Sequence, residues 1–131
     1  SGEVKFNGGG TISTTMRFKV LQTWWGDVTW KLENGELRLD KQSVYKAVSE
    51  NTIKTTMDVT LYTAQSLDSA KVTAPAGTEL TVTACDNETW VKAADKDGAE
   101  RWIYLENGYA VDSNGQQQYC WDAFDGLIMA D

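Results

Sequence analysis

Pro75-Ala-Gly-Thr-Glu-Leu-Thr-Val82, Thr89-Trp-Val-Lys-Ala93, Asp95-Lys-Asp-Gly98 and Arg101-Trp-Ile-Tyr-Leu105, closing on Asn107-Gly-Tyr109, form the run that decides the fold. Leu80 and Val82 alternate with Thr81 and Thr83, the period of a strand with one buried face. Asp97-Gly98 and Asn107-Gly108 carry the residue pairs that tolerate positive φ in tight hairpins. Trp102-Ile-Tyr-Leu105 is an apolar strand between them. The run therefore predicts three short strands joined by tight turns.

Upstream, Met16, Phe18, Val20, Gln22 and Trp24 fall on one face of an extended segment, and Arg17, Lys19, Leu21, Thr23 and Trp25 on the other. Gly26-Asp27 leads into Val28-Thr-Trp-Lys-Leu32, and Asn34-Gly35 is the strongest hairpin signal in the chain. Aligning Phe18-Lys-Val20 with Leu80-Thr-Val82 sets Trp30 against Trp90, Gly35 against Gly98, Leu39 against Trp102 and Tyr45 near Tyr109. Five anchors in one order at an offset of roughly sixty residues predict an internal repeat. The remaining segments read as an edge strand at Val4–Phe6, a glycine joint at Asn7–Gly10, a polar linker or edge strand over 49–58 and a long loop over 63–70. The stretch from Phe124 to Met129 is too apolar to stay in solvent, so it is expected to pack on the rest and to complete the first copy.

At 131 residues the chain accommodates one domain or two of about 60 residues each. The formal charge of −7 is uneven: residues 1–58 hold eight Lys or Arg and seven Asp or Glu, whereas residues 59–131 hold four and twelve. That acidic half argues against nucleic acid and anionic lipid as partners, because affinity for phosphate polymers comes from clustered cations. No apolar run is long enough to span a bilayer, and the start at Ser1-Gly-Glu reads as a mature or trimmed end.

With no histidine in the chain, a Cys–His nucleophile has no base, and Cys85 and Cys120 alone are too few for a zinc site. Asp95-Lys-Asp-Gly98 resembles the start of a calcium loop, but Arg101-Trp102 stands where further oxygen ligands belong, and the hairpin turn is the better reading. The cysteine pair itself points to an oxidising compartment and one disulfide, with two free buried thiols as the other reading. A bridge closing a loop of roughly 35 residues would contribute about 3–4 kcal/mol.

From Lys71 to Tyr109 the sequence resembles the bacterial SH3 domain family. The resemblance rests on Val72, Pro75-Ala-Gly-Thr78, Leu80-Thr-Val82, Trp90-Val-Lys92, Gly98, Trp102-Ile-Tyr104 and Tyr109. It covers residues 57–109, and more distantly 16–48. Leu61-Tyr-Thr-Ala64 replaces the family's usual opening, and Arg101-Trp102 its Gly-Trp. The resemblance implies small SH3-like barrels and a non-catalytic, secreted or envelope-associated bacterial module that contacts peptidoglycan or peptides.

The expectation is thus an all-β chain of two SH3-like barrels in tandem: a divergent module over 1–52, a second over 53–111, and a C-terminal extension over 112–131 packed on both. The expected function is binding of bacterial cell-wall glycan or peptide, without catalysis, metal or cofactor. The alternative is a structural or protein-interaction module of a larger secreted protein. Trp24 and Trp25 are adjacent, so a strand turns one of them away from the core. Trp25, Trp24, Tyr62 at the mouth of the long loop, and Tyr109 are the expected ligand-binding residues, whereas Trp30, Trp90 and Trp102 read as structural.

Overall fold

The computed structural model describes residues 5–128; Val4 of the expected edge strand and Met129 of the tail lie outside them. In chain order the strands are β1 (Lys5–Gly8), β2 (Thr11–Phe18), β3 (Trp24–Glu33), β4 (Glu36–Leu39), β5 (Tyr45–Thr55), β6 (Val59–Tyr62) and β7 (Lys71–Ala74). There follow β8 (Glu79–Cys85), β9 (Trp90–Asp95), β10 (Glu100–Tyr104), β11 (Tyr109–Val111), β12 (Gln117–Tyr119), one helical turn α1 (Cys120–Ala123) and β13 (Phe124–Asp125). The protein is all-β. Among the described residues no helix is long and apolar enough to cross a membrane.

Turn chemistry places the hairpins where glycine and asparagine stand. Asn34 and Gly35 take φ of 52° and 80°, and Asn107 and Gly108 take 53° and 84°, the paired positive values of a two-residue hairpin turn. Three other turns are tied by an aspartate. Asp86 Oδ1 accepts from the N–H groups of Glu88, Thr89 and Trp90. Asp95 Oδ1 accepts from Asp97 and Ala99, and Asp112 Oδ1 from Asn114 and Gln116. A short carboxylate that bonds backbone two or more residues ahead replaces the ladder bonds a turn must give up. Asp95-Lys-Asp-Gly98 is accordingly a hairpin turn between β9 and β10.

The strands join in one antiparallel path, β1-β2-β3-β5-β8-β9-β10-β6-β7, with β4 added to β3 and β13 to β5. The pair β11-β12 is separate, and neither sheet closes on itself. Residues 49–55, expected as a linker or edge, belong to the central strand β5. Ile53 and Thr55 are buried while Thr52 and Lys54 face out, so the segment reads as polar yet alternates correctly. β5 meets β3 at Gly26↔Ala47 and β8 at both of its ends. The boundary drawn at 52/53 falls inside it.

A single core spans the chain. Phe18, Trp24, Val28 and Tyr45 from the first half pack in one cluster with Leu61, Leu80, Val91 and Ile103 from the second and Ala123 and Phe124 from the tail. A smaller cluster joins Tyr62, Trp90 and Trp102. The tail is tied to β5 and to the residue before β3: Phe124 pairs with Thr55, Asn51 Nδ2 donates to the Gly126 carbonyl, and Thr23 N donates to the Ile128 carbonyl.

The disulfide expectation is corrected: Cys85 and Cys120 are free, and they are not close. Cys85 ends β8 inside the core opposite Val91, whereas Cys120 begins α1, directly after β12. Each thiol is buried in the packing of its own element, β8 for Cys85 and α1 for Cys120. Burial pushes the Cys85 thiol up to about 12 and the Cys120 thiol up to about 11. Both are therefore protonated and shielded, the condition of an inert structural cysteine. A reductant is expected to leave mass and melting temperature unchanged, and a thiol reagent to label both cysteines only after denaturation. A mass gain on reduction of the native protein would contradict this arrangement.

Candidate functional site: an exposed aromatic ladder beside a groove

The β11-β12 hairpin sorts its side chains by alternation. Ala110 and Cys120 turn inward, and Tyr109 and Tyr119, direct cross-strand partners, turn outward. Their ring centroids lie 5.4 Å apart at 59°. In α1, Cys120 and Ala123 share the buried side at helical spacing, which leaves Trp121 outside. Trp121 lies 6.2 Å from Tyr119 with the ring planes only 20° apart. The three rings form one ladder, ending in Trp121, which is 52% exposed.

Asp112 holds the hairpin in place. Besides the turn bonds, its Oδ2 accepts from Gln118 Nε2 at 2.9 Å, its carbonyl accepts from Thr60 Oγ1 at 2.9 Å, and its backbone bridges to Val59 of β6. The Gln116 N–H, then the Gln118 amide and the Asn114 N–H, keep its carboxyl below the ordinary range. Hydrogen bonds to the charged form have that effect, so the ionised carboxylate is the form that secures the loop.

A depression of about 260 Å³ opens beside the ladder, with Tyr119 and Trp121 on one side and Lys19, Leu21 and Thr23 on the other. It continues past Lys19 and Leu21 into a second depression of about 240 Å³ edged by Glu106 and Asn107. The shared wall carries unusual backbone. Leu21 has φ of 69°, and Gln22 N donates to the Val20 carbonyl at 2.8 Å, which defines the rarer, positive-φ form of the γ-turn. A leucine in that region costs of order 1–3 kcal/mol, sustained here by its surroundings. Gln22 is 2% exposed, and its Oε1 accepts from Asn51 Nδ2 and Ile128 N. Strain of this kind concentrates at ligand clamps.

The four aromatic residues singled out in the sequence divide evenly. Trp24 and Tyr62 are each 5% exposed: Trp24 meets Phe18 edge-on at 6.0 Å, and Tyr62 meets Trp90 edge-on at 5.4 Å. Their ring faces are occupied by the protein. Trp25 and Tyr109 are 40% and 39% exposed and offer rings to solvent. Only Tyr109 belongs to the ladder. Tyr119 and Trp121 went unrecognised because residues 112–131 were expected only as an extension packed on the two modules. The signal is the Tyr-Cys-Trp triplet: a buried small residue between two aromatics turns both aromatics the other way. Among the described residues no group of three or more Cys, Asp or Glu is arranged to hold a metal.

Comparison with known proteins adds no assignment: the chain significantly matches no protein-family model, no curated protein and no solved structure.

Proposed function

We propose that this chain is a non-catalytic binding module for bacterial cell-wall glycan or peptide, acting outside the cell or in its envelope. The ladder Tyr109–Tyr119–Trp121 with its flanking groove is the binding surface. The observation that carries the reading is the exposure of three neighbouring rings, two on a braced hairpin and one on the helical turn that follows it. Large aromatic rings left in water beside a groove are the usual anchors of recognition, because they bury much area with little loss of side-chain freedom. The tandem SH3-like reading belongs to the same proposal. Its support is the ordered recurrence of Trp30 and Trp90, and of Gly35 and Gly98, which share positive φ of 80° and 85°.

Binding to purified cell walls tests the site. Trp121→Ala and Tyr119→Ala are expected to weaken retention by roughly tenfold each, the scale of a central aromatic contact. The melting temperature should stay close to wild type, because both rings are largely exposed. Full retention by the folded double variant would remove the ladder from the binding surface.

A further inference from the structure

Among the described residues β4 pairs with β3 alone, so its other edge is open. The phase of that pairing decides what the open edge offers. Leu32 N donates to the Gly10 carbonyl, on the β2 side of β3, whereas Asp40 N donates to the Thr29 carbonyl across the hairpin. The rung at Thr29 is therefore hydrogen-bonded and the Leu32↔Leu37 rung is not. Bonded and unbonded rungs alternate in an antiparallel pair, which turns the N–H and C=O groups of Leu37 and Leu39 to the open edge. An edge of this kind is a template for a further strand.

The side chains of the hairpin say which strand fits. Trp30, Leu32, Leu37 and Leu39 share one face. Trp30 and Leu39 pack against the core, whereas Leu32 and Leu37, 57% and 52% exposed, carry that apolar face out into water. The opposite face pairs like with like: Lys31 stands across from Arg38, and Glu33 across from Glu36. Such rungs are destabilising. Asp40 relieves Lys31 at 3.4 Å, but Arg38 has only the exposed Glu36 two residues away, also at 3.4 Å, a contact worth little. A second β4 laid antiparallel supplies the missing order of charge. With a two-fold axis at Leu37, Arg38 of each copy faces Glu36 of the other, and each row across the four strands runs from two cations to two carboxylates. On the other face Leu32 and Leu37 of the two copies form one row of four leucines. The bonding phase also allows an axis at Leu39, but Leu39 shares a depression with the Asp86–Glu88 turn, to which Lys41 is held by a 3.3 Å ion pair with Glu88.

We infer that the open edge of β4 binds a second copy of this chain, the two β4 strands pairing antiparallel about Leu37. Leu37 of each copy exchanges N–H and C=O bonds with Leu37 of the other, Glu36 and Arg38 fix the register, and the leucine row supplies the apolar burial. The contact is isologous, so it closes at a dimer and leaves no β4 edge to continue a fibre. It involves none of the ladder residues and stands independently of what the ladder binds. A few residues from each copy make a small interface, for which dissociation constants of about 10 μM to 1 mM are expected.

Sedimentation equilibrium of the full chain, with charge reversals at the register positions, tests this. Glu36→Arg and Arg38→Glu are each expected to weaken dimerisation about tenfold, because the symmetry counts the mismatch twice. The double variant, with the two charges exchanged, is expected to return to within about threefold of wild type. Circular dichroism establishes that each variant is folded. Cysteine cross-linking reads the axis directly, since Cys85 and Cys120 are buried and leave an introduced thiol as the reactive one. Partners in a hydrogen-bonded antiparallel rung lie about 5.5 Å apart at Cα, within disulfide reach, whereas Leu32 of the two copies is separated by three strand spacings, about 14 Å. Under mild oxidation Leu37→Cys is expected to form covalent dimers at least tenfold faster than Leu32→Cys, although the two sites are similarly exposed. A monomer at every concentration up to about 1 mM overturns the inference. Equal cross-linking at the two positions overturns it, because random collision gives that result. A dimer indifferent to single charge reversal, or not restored by the exchange, also overturns it, in favour of another contact surface.

Discussion

Phe124→Ala is expected to lower the unfolding free energy by about 3–5 kcal/mol, the cost of emptying a fully packed phenylalanine site. Phe124 is 2% exposed, and its backbone pairs with Thr55 as the first residue of β13. It is the tail's principal buried side chain, and the tail is what ties residues 51–56 to the start of β3. Thr56 donates both its N–H, to the Ala123 carbonyl, and its hydroxyl, to the Asp122 carbonyl; Thr23 N donates to the Ile128 carbonyl. These bonds are close to solvent and depend on Phe124 for their registry. The substitution should therefore speed amide exchange at Thr23 and Thr56 more than at Ile103 in the core. Chemical denaturation measures the first effect and hydrogen exchange the second. A loss below about 1 kcal/mol would mean that the tail is docked by something other than this ring. Total stability of a domain is only about 5–15 kcal/mol, so the variant should sit near the edge of folding.

Gly26→Ala should be nearly as damaging, for the opposite reason. Gly26 is the point where the sheet is most crowded: it pairs with Met16 on one side and Ala47 on the other, and the Phe18 ring lies directly over it. A β-carbon there would fall 2.6 Å from Phe18 Cζ and 2.7 Å from Cδ2, well inside contact distance. The ring has no room to retreat, because Trp24 meets it edge-on at 6.0 Å and Tyr45 tilts against it at 5.4 Å. Overpacking of this kind costs about 1–3 kcal/mol, and a site fixed on both sides by backbone pairing belongs at the top of that range. Phe18→Leu provides the control. Alone it opens space and destabilises; combined with Gly26→Ala it should recover part of the loss, with a coupling of about 1 kcal/mol or more between the two positions. Simple additivity in the double variant would show that the damage arises from the glycine's backbone and not from the ring.

The two substitutions also explain which parts of the fold were readable in the sequence. Hairpins were readable because their determinants are local: Asn34-Gly35, Asp97-Gly98 and Asn107-Gly108 stand where only certain backbone angles close a turn. Strand character was readable because alternation is local too. The joining of the two halves was not. Phe18 and Phe124 share a core with Leu80 and Ile103 across many residues of chain, and no periodicity records which distant face a strand will meet. The same holds for β5, whose outer half looks polar until Ile53 and Thr55 are seen to be its inward residues.

The binding surface was half legible for the same reason. Trp25 and Tyr109 are exposed as expected, and Trp24 and Tyr62 are inside. Adjacent residues on a strand must face opposite ways, so the sequence requires that Trp24 and Trp25 part company. It holds nothing that says which one goes in. Phe18 and Tyr45 decide that, by closing over the Trp24 side of the sheet. Tyr62 follows the same logic, since Trp90 and Trp102 arrive over it from strands β9 and β10.

By itself, then, the sequence determines an all-β chain, the positions of its turns, the relative facing of neighbouring side chains, and an excess of negative charge in its second half. Each follows from interactions within a few residues or from composition. Only the tertiary structure decides that one core spans both halves, that Cys85 and Cys120 stay apart, that the tail lies on β5, and that Tyr109, Tyr119 and Trp121 line up on one outer surface. Those outcomes depend on which apolar faces meet, and burial is a non-directional force that acts between faces wherever the chain brings them together.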